Sequence, residues 1–146
     1  MRTHSTLLVC LALLAAAASL NGVMDTLQFH YAGSIFPTGT HTLLGAGEQW
    51  WNPQISWENH YVDYPTDQRA RFWGAKDVFI WLTDAWHLAK QMMLWCIQLA
   101  VALPLLQLYK GKWWWALLAL IPGYLLWGAF FTVFYGLLLV SKKQQV

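Results

Sequence analysis

The sequence has few charged residues, few cysteines and little net charge. Asp, Glu, Lys and Arg make up only 11% of its 146 residues, whereas about 25% is usual in a soluble domain. A net charge of +2 is too small for the basic surface that nucleic-acid binding needs. Two cysteines are too few for a disulfide-stapled secreted module, and 58% apolar residues exclude a disordered chain. The composition is instead typical of a membrane protein.

Three long apolar runs contain most of the hydrophobic residues. The first lies at residues 7–20, follows Arg2 and ends in small residues, so residues 1–20 are predicted to be a signal peptide or a first transmembrane helix. The second, residues 78–109, would measure about 48 Å as a helix and therefore exceeds the roughly 30 Å hydrocarbon core. We expect its polar start to lie at the membrane interface. The third run, residues 113–140, must also tilt or kink.

These runs predict an all-α membrane protein. Its main part is a transmembrane hairpin, in which residues 110–112 form the turn between helices at 78–109 and 113–140. Trp113, Trp114 and Trp115 follow the turn and form an aromatic belt at that membrane face. A basic tail occupies residues 141–146.

Residues 21–77 form the only sizeable polar segment of the sequence. The segment has more aromatic residues than a solvated linker would carry: Trp50, Trp51, Trp57, Tyr61, Tyr64, Phe72 and Trp73. Amphipathic rings prefer the headgroup zone or a small packed core. We therefore expect an aromatic-rich interfacial loop that either folds by itself or lies on the membrane.

A polar stripe is predicted along one face of the second run. Asp84, His87, Gln91 and Gln98 follow one another at intervals of three, four and seven residues, so they share a helical face. The favoured interpretation is structural: the first two dock the loop at headgroup depth, and the glutamines hydrogen-bond a neighbouring helix. The alternative is a metal ion held by Asp84, His87 and a loop histidine such as His60. No local metal-ligand motif occurs, so no cofactor is predicted beyond this ion.

A ridge of small residues is predicted on the third run. Gly128, Thr132 and Gly136 recur at intervals of four, which lets another helix approach closely. That helix belongs either to the same chain or to a partner. Because two or three helices cannot cover every face of one another, we expect a homo-oligomer or a partner membrane subunit in addition to the lipid bilayer.

Two signals disagree about orientation in the membrane. With a cytoplasmic N-terminus, the inside would hold Arg2, Lys110 and Lys112, and the outside would hold Arg69, Arg71, Lys76, Lys142 and Lys143. The positive-inside rule favours the opposite arrangement. A cleaved signal peptide would override this count, because translocation is then set at the N-terminus. We expect the loop at residues 21–77 to be extracytoplasmic.

Several short motifs carry a resemblance to other proteins. They are MDTLQFH at residues 24–30, WWNP at 50–53, ISW at 55–57, FWG at 72–74 and WLTDAWHL at 81–88. In these motifs the chain resembles an uncharacterised family of small bacterial integral membrane proteins. The resemblance implies a bacterial membrane setting, and we expect a multi-pass protein of the inner (cytoplasmic) membrane. It implies no activity and no site residue.

Three functions remain open from the sequence. The absence of a catalytic motif favours a non-catalytic accessory or assembling subunit of a membrane complex. The first alternative is a membrane-embedded, metal-dependent enzyme that acts at the lipid interface. The second is a component of a proton or solute pathway, which would require a homo-oligomer because two or three helices cannot enclose a pore.

Overall fold

The computed structural model describes residues 3–37, 47–131 and 133, and this part of the chain is mostly helical. Its α-helices are α1 (Thr3–His30), α2 (Glu48–Trp51), α3 (Ala85–Leu108) and α4 (Trp115–Phe131). Two strands, β1 (Tyr61–Asp63) and β2 (Asp67–Ala70), form an antiparallel pair between α2 and α3. Short 3₁₀ turns occupy Tyr31–Gly33, Ser56–His60 and Ile80–Leu82.

The chain divides into two compact units. The first unit comprises Met1–Leu13 and Ile97–Val146, and the second comprises Leu14–Cys96. Both α1 and α3 continue from one unit into the other. The polar loop and the start of α3 belong entirely to the second unit.

Among the described residues, two helical stretches are long and apolar enough to span a membrane, judged by length and composition. They are His4–Gly33, which is α1 with the turn that follows it, and Ala85–Leu108, which is α3. The described part of α4 is apolar but shorter, with 17 residues. The rest of the predicted third run, residues 132 and 134–140, lies outside the described residues, as does the tail at 141–146.

Two helix boundaries differ from the sequence expectation. α1 does not end at residue 20 but continues to His30. In this extension the Asn21 side chain donates a hydrogen bond of 3.0 Å to Asp25 one turn later, so polar residues are accommodated along the helix. α3 begins at Ala85 and not near residue 78, because the Asp84 side chain caps it. Residues 78–84 form turns instead.

The predicted loop contains strands that the all-α expectation did not include. β1 and β2 pair Tyr61 with Ala70 and Asp63 with Asp67. The turn between them contains Pro65, which cannot donate a backbone hydrogen bond and so suits a turn better than a strand. Thr66 donates a hydrogen bond of 2.6 Å to the Asp63 carboxylate across this turn. The fold class is therefore mostly helical with a two-stranded ribbon.

An aromatic core in the second unit packs the loop against the helices. Phe36 and Trp51 stack with their ring centroids 5.0 Å apart. They cluster with Leu27 of α1 and Ala85 of α3, and all four side chains are buried. Part of the predicted aromatic loop is thus a packed layer, and its position is fixed by apolar contacts with both helices.

In the first unit, α3 and α4 approach each other at a glycine. A Cβ atom at Gly123 would lie 2.9 Å from the side-chain amide of Gln98, so a larger residue would displace that amide. The connection between the helices begins with a Schellman motif: the Gly111 N–H donates to the Leu106 carbonyl at 2.7 Å, and the Lys110 N–H donates to the Gln107 carbonyl at 3.2 Å. The predicted turn at residues 110–112 lies within this longer connection.

Candidate functional site

Asp84 directly precedes α3 and is almost completely buried. Its Oδ1 accepts a hydrogen bond of 2.9 Å from the backbone N–H of His87, and its carbonyl accepts the first helical bond, from the Leu88 N–H, at 3.1 Å. This is the N-cap arrangement, in which an aspartate satisfies an otherwise free amide of the first turn. The negative charge also lies at the positive end of the helix dipole. Asp84 therefore determines where α3 begins.

The second oxygen of Asp84 binds the imidazole of His87. The Nδ1 atom of His87 lies 2.6 Å from Asp84 Oδ2. Because an ionised carboxylate only accepts hydrogen bonds, this contact assigns the proton to Nδ1 and leaves the lone pair of the neutral ring on Nε2. A carboxylate orients metal-binding and general-base histidines in the same way.

His60 approaches the same carboxylate from the loop. It ends the turn Ser56–His60, and its Nε2 lies 3.7 Å from Asp84 Oδ2. That distance is too long for a hydrogen bond. The nitrogen is buried and has no hydrogen-bond partner among residues 3–37, 47–131 and 133. A buried polar atom without a hydrogen-bond partner lowers the stability of the fold by about 1–3 kcal/mol.

Hydrogen bonds within the loop hold His60 in place. The His60 carbonyl accepts the Arg71 N–H at 2.9 Å. Asn59 donates to the Gln49 carbonyl at 3.0 Å and accepts from the Arg71 guanidinium at 3.3 Å. Arg71 also donates to the Tyr61 carbonyl at 3.1 Å. The backbone around His60 is therefore tied to two other parts of the loop.

Burial and neighbouring groups act in opposite directions on Asp84. Burial raises the pKa of its carboxyl, but the imidazoles of His60 and His87 and the His87 backbone N–H together lower it more, so the pKa lies well below its usual value. The carboxylate is consequently ionised at neutral pH. The Thr83 hydroxyl lies 3.2 Å from Asp84 Oδ2 and 2.6 Å from the Ile80 carbonyl, and its single proton serves one of them.

The three side chains provide the donor set of a transition-metal site. One ligand atom from each of His60, Asp84 and His87 lies within 4.8 Å of the others. Two imidazole nitrogens and a carboxylate oxygen suit Zn²⁺ or Fe²⁺. Because metal–ligand bonds of about 2.0–2.2 Å hold neighbouring donor atoms roughly 3 Å apart, an ion would draw His60 slightly inward.

A small pocket lies beside Asp84 and His87. Its volume is about 180 Å³, and it is lined by Gln28, Pro53, Ser56, Trp57, Asp84, Trp86 and His87. This is room for several water molecules or a small ligand. A metal ion with three protein ligands would therefore have space for a further, exchangeable ligand.

The structure brings together the three residues predicted as metal ligands, Asp84, His87 and His60. It does not extend this cluster along the whole predicted stripe. Gln91 is buried, and its Nε2 has no hydrogen-bond partner in the part of the chain that the structure describes. Gln98 belongs to the other unit, where its amide contacts Gly123.

The predicted ridge and belt lie in the first unit. A Cβ atom at Gly128 would have no neighbour within 4 Å, so no described element packs closely on it. Thr132 and Gly136 lie outside the described residues. The predicted belt residues are exposed: Trp113, Trp114 and Trp115. The rings of the last two stack with centroids 4.6 Å apart.

Sequence reasoning did not find the residues that support the site. Asn59 and Arg71 fix His60, and Gln28 and Ser56 line the pocket. These residues reach the site through tertiary folding, so no local spacing signals them. Comparisons with known proteins add no relative: no known protein family, curated protein or solved structure matches the chain.

Substitutions of Asp84 test its two roles, as the N-cap of α3 and as the hydrogen-bond partner of the His87 imidazole. Asp84→Ala removes the cap and the partner of His87, and we expect it to lower the free energy of unfolding in mild detergent by about 1–3 kcal/mol. Asp84→Asn keeps a good N-cap but has one acceptor oxygen, so it should cost less. Nitrogen NMR of His87 should show the Nδ1–H tautomer in the wild type and a weaker preference in both variants.

Asp77→Ala is the matched control, because Asp77 is an exposed carboxylate of the same loop. We expect its unfolding free energy to stay within about 0.5 kcal/mol of the wild type. If Asp77→Ala and Asp84→Ala had the same effect, the buried carboxylate would not have the role assigned to it.

Proposed function

We propose that this chain is a small multi-pass integral membrane protein that holds a divalent transition-metal ion at the membrane surface. The spans would be α3, α4 and, unless it is removed as a signal peptide, α1. The loop would lie on the extracytoplasmic side of a bacterial inner membrane. Support comes from two apolar helical stretches of spanning length and from the metal-binding side chains next to the start of one of them.

The buried Nε2 atom of His60 is the observation that carries the proposal. An Asp84–His87 pair by itself accounts for the N-cap and for docking of the loop. It does not account for a second imidazole whose buried nitrogen lies 3.7 Å from the same carboxylate and has no hydrogen-bond partner among the described residues. A bond to a metal ion would satisfy that nitrogen.

A metal ion satisfies the cluster better than an extra proton does. Protonation of His60 would place a positive charge near Asp84 and, after the same inward movement, would allow one hydrogen bond from Nε2 to the carboxylate. A divalent cation would instead bind the lone pairs of both imidazoles and compensate the buried negative charge. Binding through Nδ1 of His87 would require the other tautomer of the neutral ring, with the proton on Nε2, because a coordinating nitrogen carries no proton.

The number of ligands favours an open metal site. Structural zinc sites are usually closed by four protein ligands, whereas catalytic sites have three and keep one position for water or substrate. Among the described residues this cluster offers three ligands, and a pocket of about 180 Å³ adjoins it. The specific form of the proposal is therefore a metal-dependent enzyme acting at the lipid interface.

Zinc titration tests the proposal directly. Protein purified without a polyhistidine tag and placed in lipid nanodiscs should bind one Zn²⁺ per chain in a calorimetric titration. His60→Ala and His87→Ala should each weaken binding by at least about tenfold, since even the partners of metal ligands affect affinity by 10–100-fold.

His30→Ala is the matched control, because His30 is exposed at the end of α1 and outside the cluster. Its zinc affinity should equal that of the wild type. Wild-type affinity in His60→Ala, or the same loss in all three variants, would contradict the metal site. Circular dichroism of each variant would show that the helices are retained.

A second candidate function is that of an accessory or assembling subunit. The observation that favours it is the surface at Gly128, where an added Cβ atom would meet no atom of the described residues within 4 Å. Large apolar side chains on the same helix are also exposed, among them Ile121, Leu125 and Trp127. In a membrane, small residues at such a surface let a second helix pack closely.

Gly128→Leu tests this second function. If a helix of another chain packs at Gly128, the wild type should be an oligomer or a complex in native mass spectrometry, and Gly128→Leu should dissociate it. Leu118→Phe also adds volume to an exposed position of α4 and should leave the assembly intact. A monomeric wild type, or an unchanged assembly in Gly128→Leu, would exclude this interface.

A further inference from the structure

We infer that an aromatic strip of the loop inserts into the phospholipid headgroup layer and fixes the depth at which α3 enters the membrane. The aromatic strip consists of Trp73, Phe79, Trp81 and Trp95, and all four residues belong to the second unit. The inference rests on the proposed insertion of α3 and does not depend on the metal ion.

The aromatic strip is continuous from the loop to α3. The ring centroids of Trp73 and Phe79 are 5.7 Å apart, and those of Phe79 and Trp81 are 6.3 Å apart. Trp81 then contacts Trp95 of α3 edge to face, with centroids 5.2 Å apart. These separations are typical of favourable aromatic pairs. The loop is thus attached to the flank of α3 well beyond the first turn of that helix.

Trp73 stands at an ordered, outward-facing tip of this strip. Its side chain is 81% exposed, which is unusual for a tryptophan in a folded loop. The tip is nevertheless held by backbone hydrogen bonds: the Ala75 N–H donates to the Phe72 carbonyl at 3.1 Å, and the Phe79 N–H donates to the Gly74 carbonyl at 2.8 Å. Gly74 has a φ of 77° at this turn, a conformation that glycine adopts without strain.

The length of α3 places the strip at the membrane interface. Its 24 residues measure about 36 Å, roughly 6 Å more than the hydrocarbon core. If the far end of α3 reaches the opposite face, the core begins near Ala89, and the backbone of Trp95 lies about 9 Å inside it. Helical side chains lean towards the N-terminus, so the Trp95 ring meets Trp81 near the boundary between acyl chains and headgroups. Tryptophan is enriched at that depth.

The loop backbone sets a limit on this depth. Non-helical backbone exposed to lipid is excluded from the hydrocarbon core, because its polar groups would lack partners. Residues 72–79 form turns, so they must remain among the headgroups while the rings reach towards the acyl chains. Asp84 and His87 are then held at headgroup level, where an ionised carboxylate is tolerated.

The charges of the loop favour a zwitterionic lipid surface over an anionic one. Arg69 pairs with Asp67 at 2.6 Å. Lys76 lies 4.3 Å from the ring centroid of Tyr61 and donates to the Gln68 carbonyl at 2.8 Å. Because these cations are engaged within the loop, the contact with lipid is made by indole rings. It should therefore depend little on salt or on anionic lipid.

Depth-dependent fluorescence quenching tests the inference. Trp73→Cys is made in a Cys10→Ala, Cys96→Ala background, labelled with a polarity-sensitive fluorophore and placed in phosphatidylcholine nanodiscs. Lipids brominated near the headgroup should quench the label more than lipids brominated near the bilayer centre, and high salt should not change this. A label at Gln68→Cys, an exposed position of β2 outside the strip, should be quenched little by either.

Separate outcomes distinguish this inference from the proposed function. A Trp73→Cys label that no brominated lipid quenches, in protein that resists alkaline extraction from membranes, would overturn the inference and leave membrane insertion standing. Protein that alkaline extraction releases would overturn both. If the fluorescence of the label indicated an apolar environment only when another protein co-purifies, the strip would bind a protein. That outcome would also overturn the inference.

Discussion

The structure of the second unit depends on one buried carboxylate. Asp84 ends the loop and caps α3 through its Oδ1 atom, and its Oδ2 atom contacts His87 and also lies 3.7 Å from His60 Nε2. Burial of an ionised carboxylate is costly unless hydrogen bonds and opposite charges compensate it. The groups that compensate this cost are the first-turn amide of α3 and the imidazoles of His60 and His87. The compensation therefore fixes both the start of α3 and the positions of the two histidines. The same requirement explains why α3 begins at Ala85 and not at the start of the apolar run.

Contacts of the loop hold Asp84, His87 and His60 in this arrangement. Phe36 and Trp51 pack it on α1 and α3, while Asn59 and Arg71 tie the backbone around His60. The aromatic strip provides a separate attachment of the loop to α3, through the contact between Trp81 and Trp95. Together these contacts would hold the polar cluster at the level where water, metal ions and lipid headgroups meet. A site of this kind would not require a large catalytic domain.

Features that depend on residues close together in the sequence could be predicted. Features that depend on residues far apart in the sequence could be predicted only in part. The apolar runs indicated α3 and α4, and the interval of three from Asp84 to His87 placed both on one helical face. His60 was included only as one loop histidine among several, because its approach depends on Arg71 and Asn59. The extension of α1 to His30 and the strands β1 and β2 were missed, since polar residues occur in helices, strands and loops alike.

X-ray absorption at the zinc edge tests the central claim most directly, because it shows which atoms surround the ion in the zinc-loaded protein. We expect two imidazole nitrogens and a carboxylate oxygen at about 2.0–2.2 Å, with further oxygen from water. In His60→Ala the spectrum should keep a single imidazole. A zinc environment without imidazole scattering, or one that is identical in His60→Ala, would show that His60, His87 and Asp84 do not form a metal site.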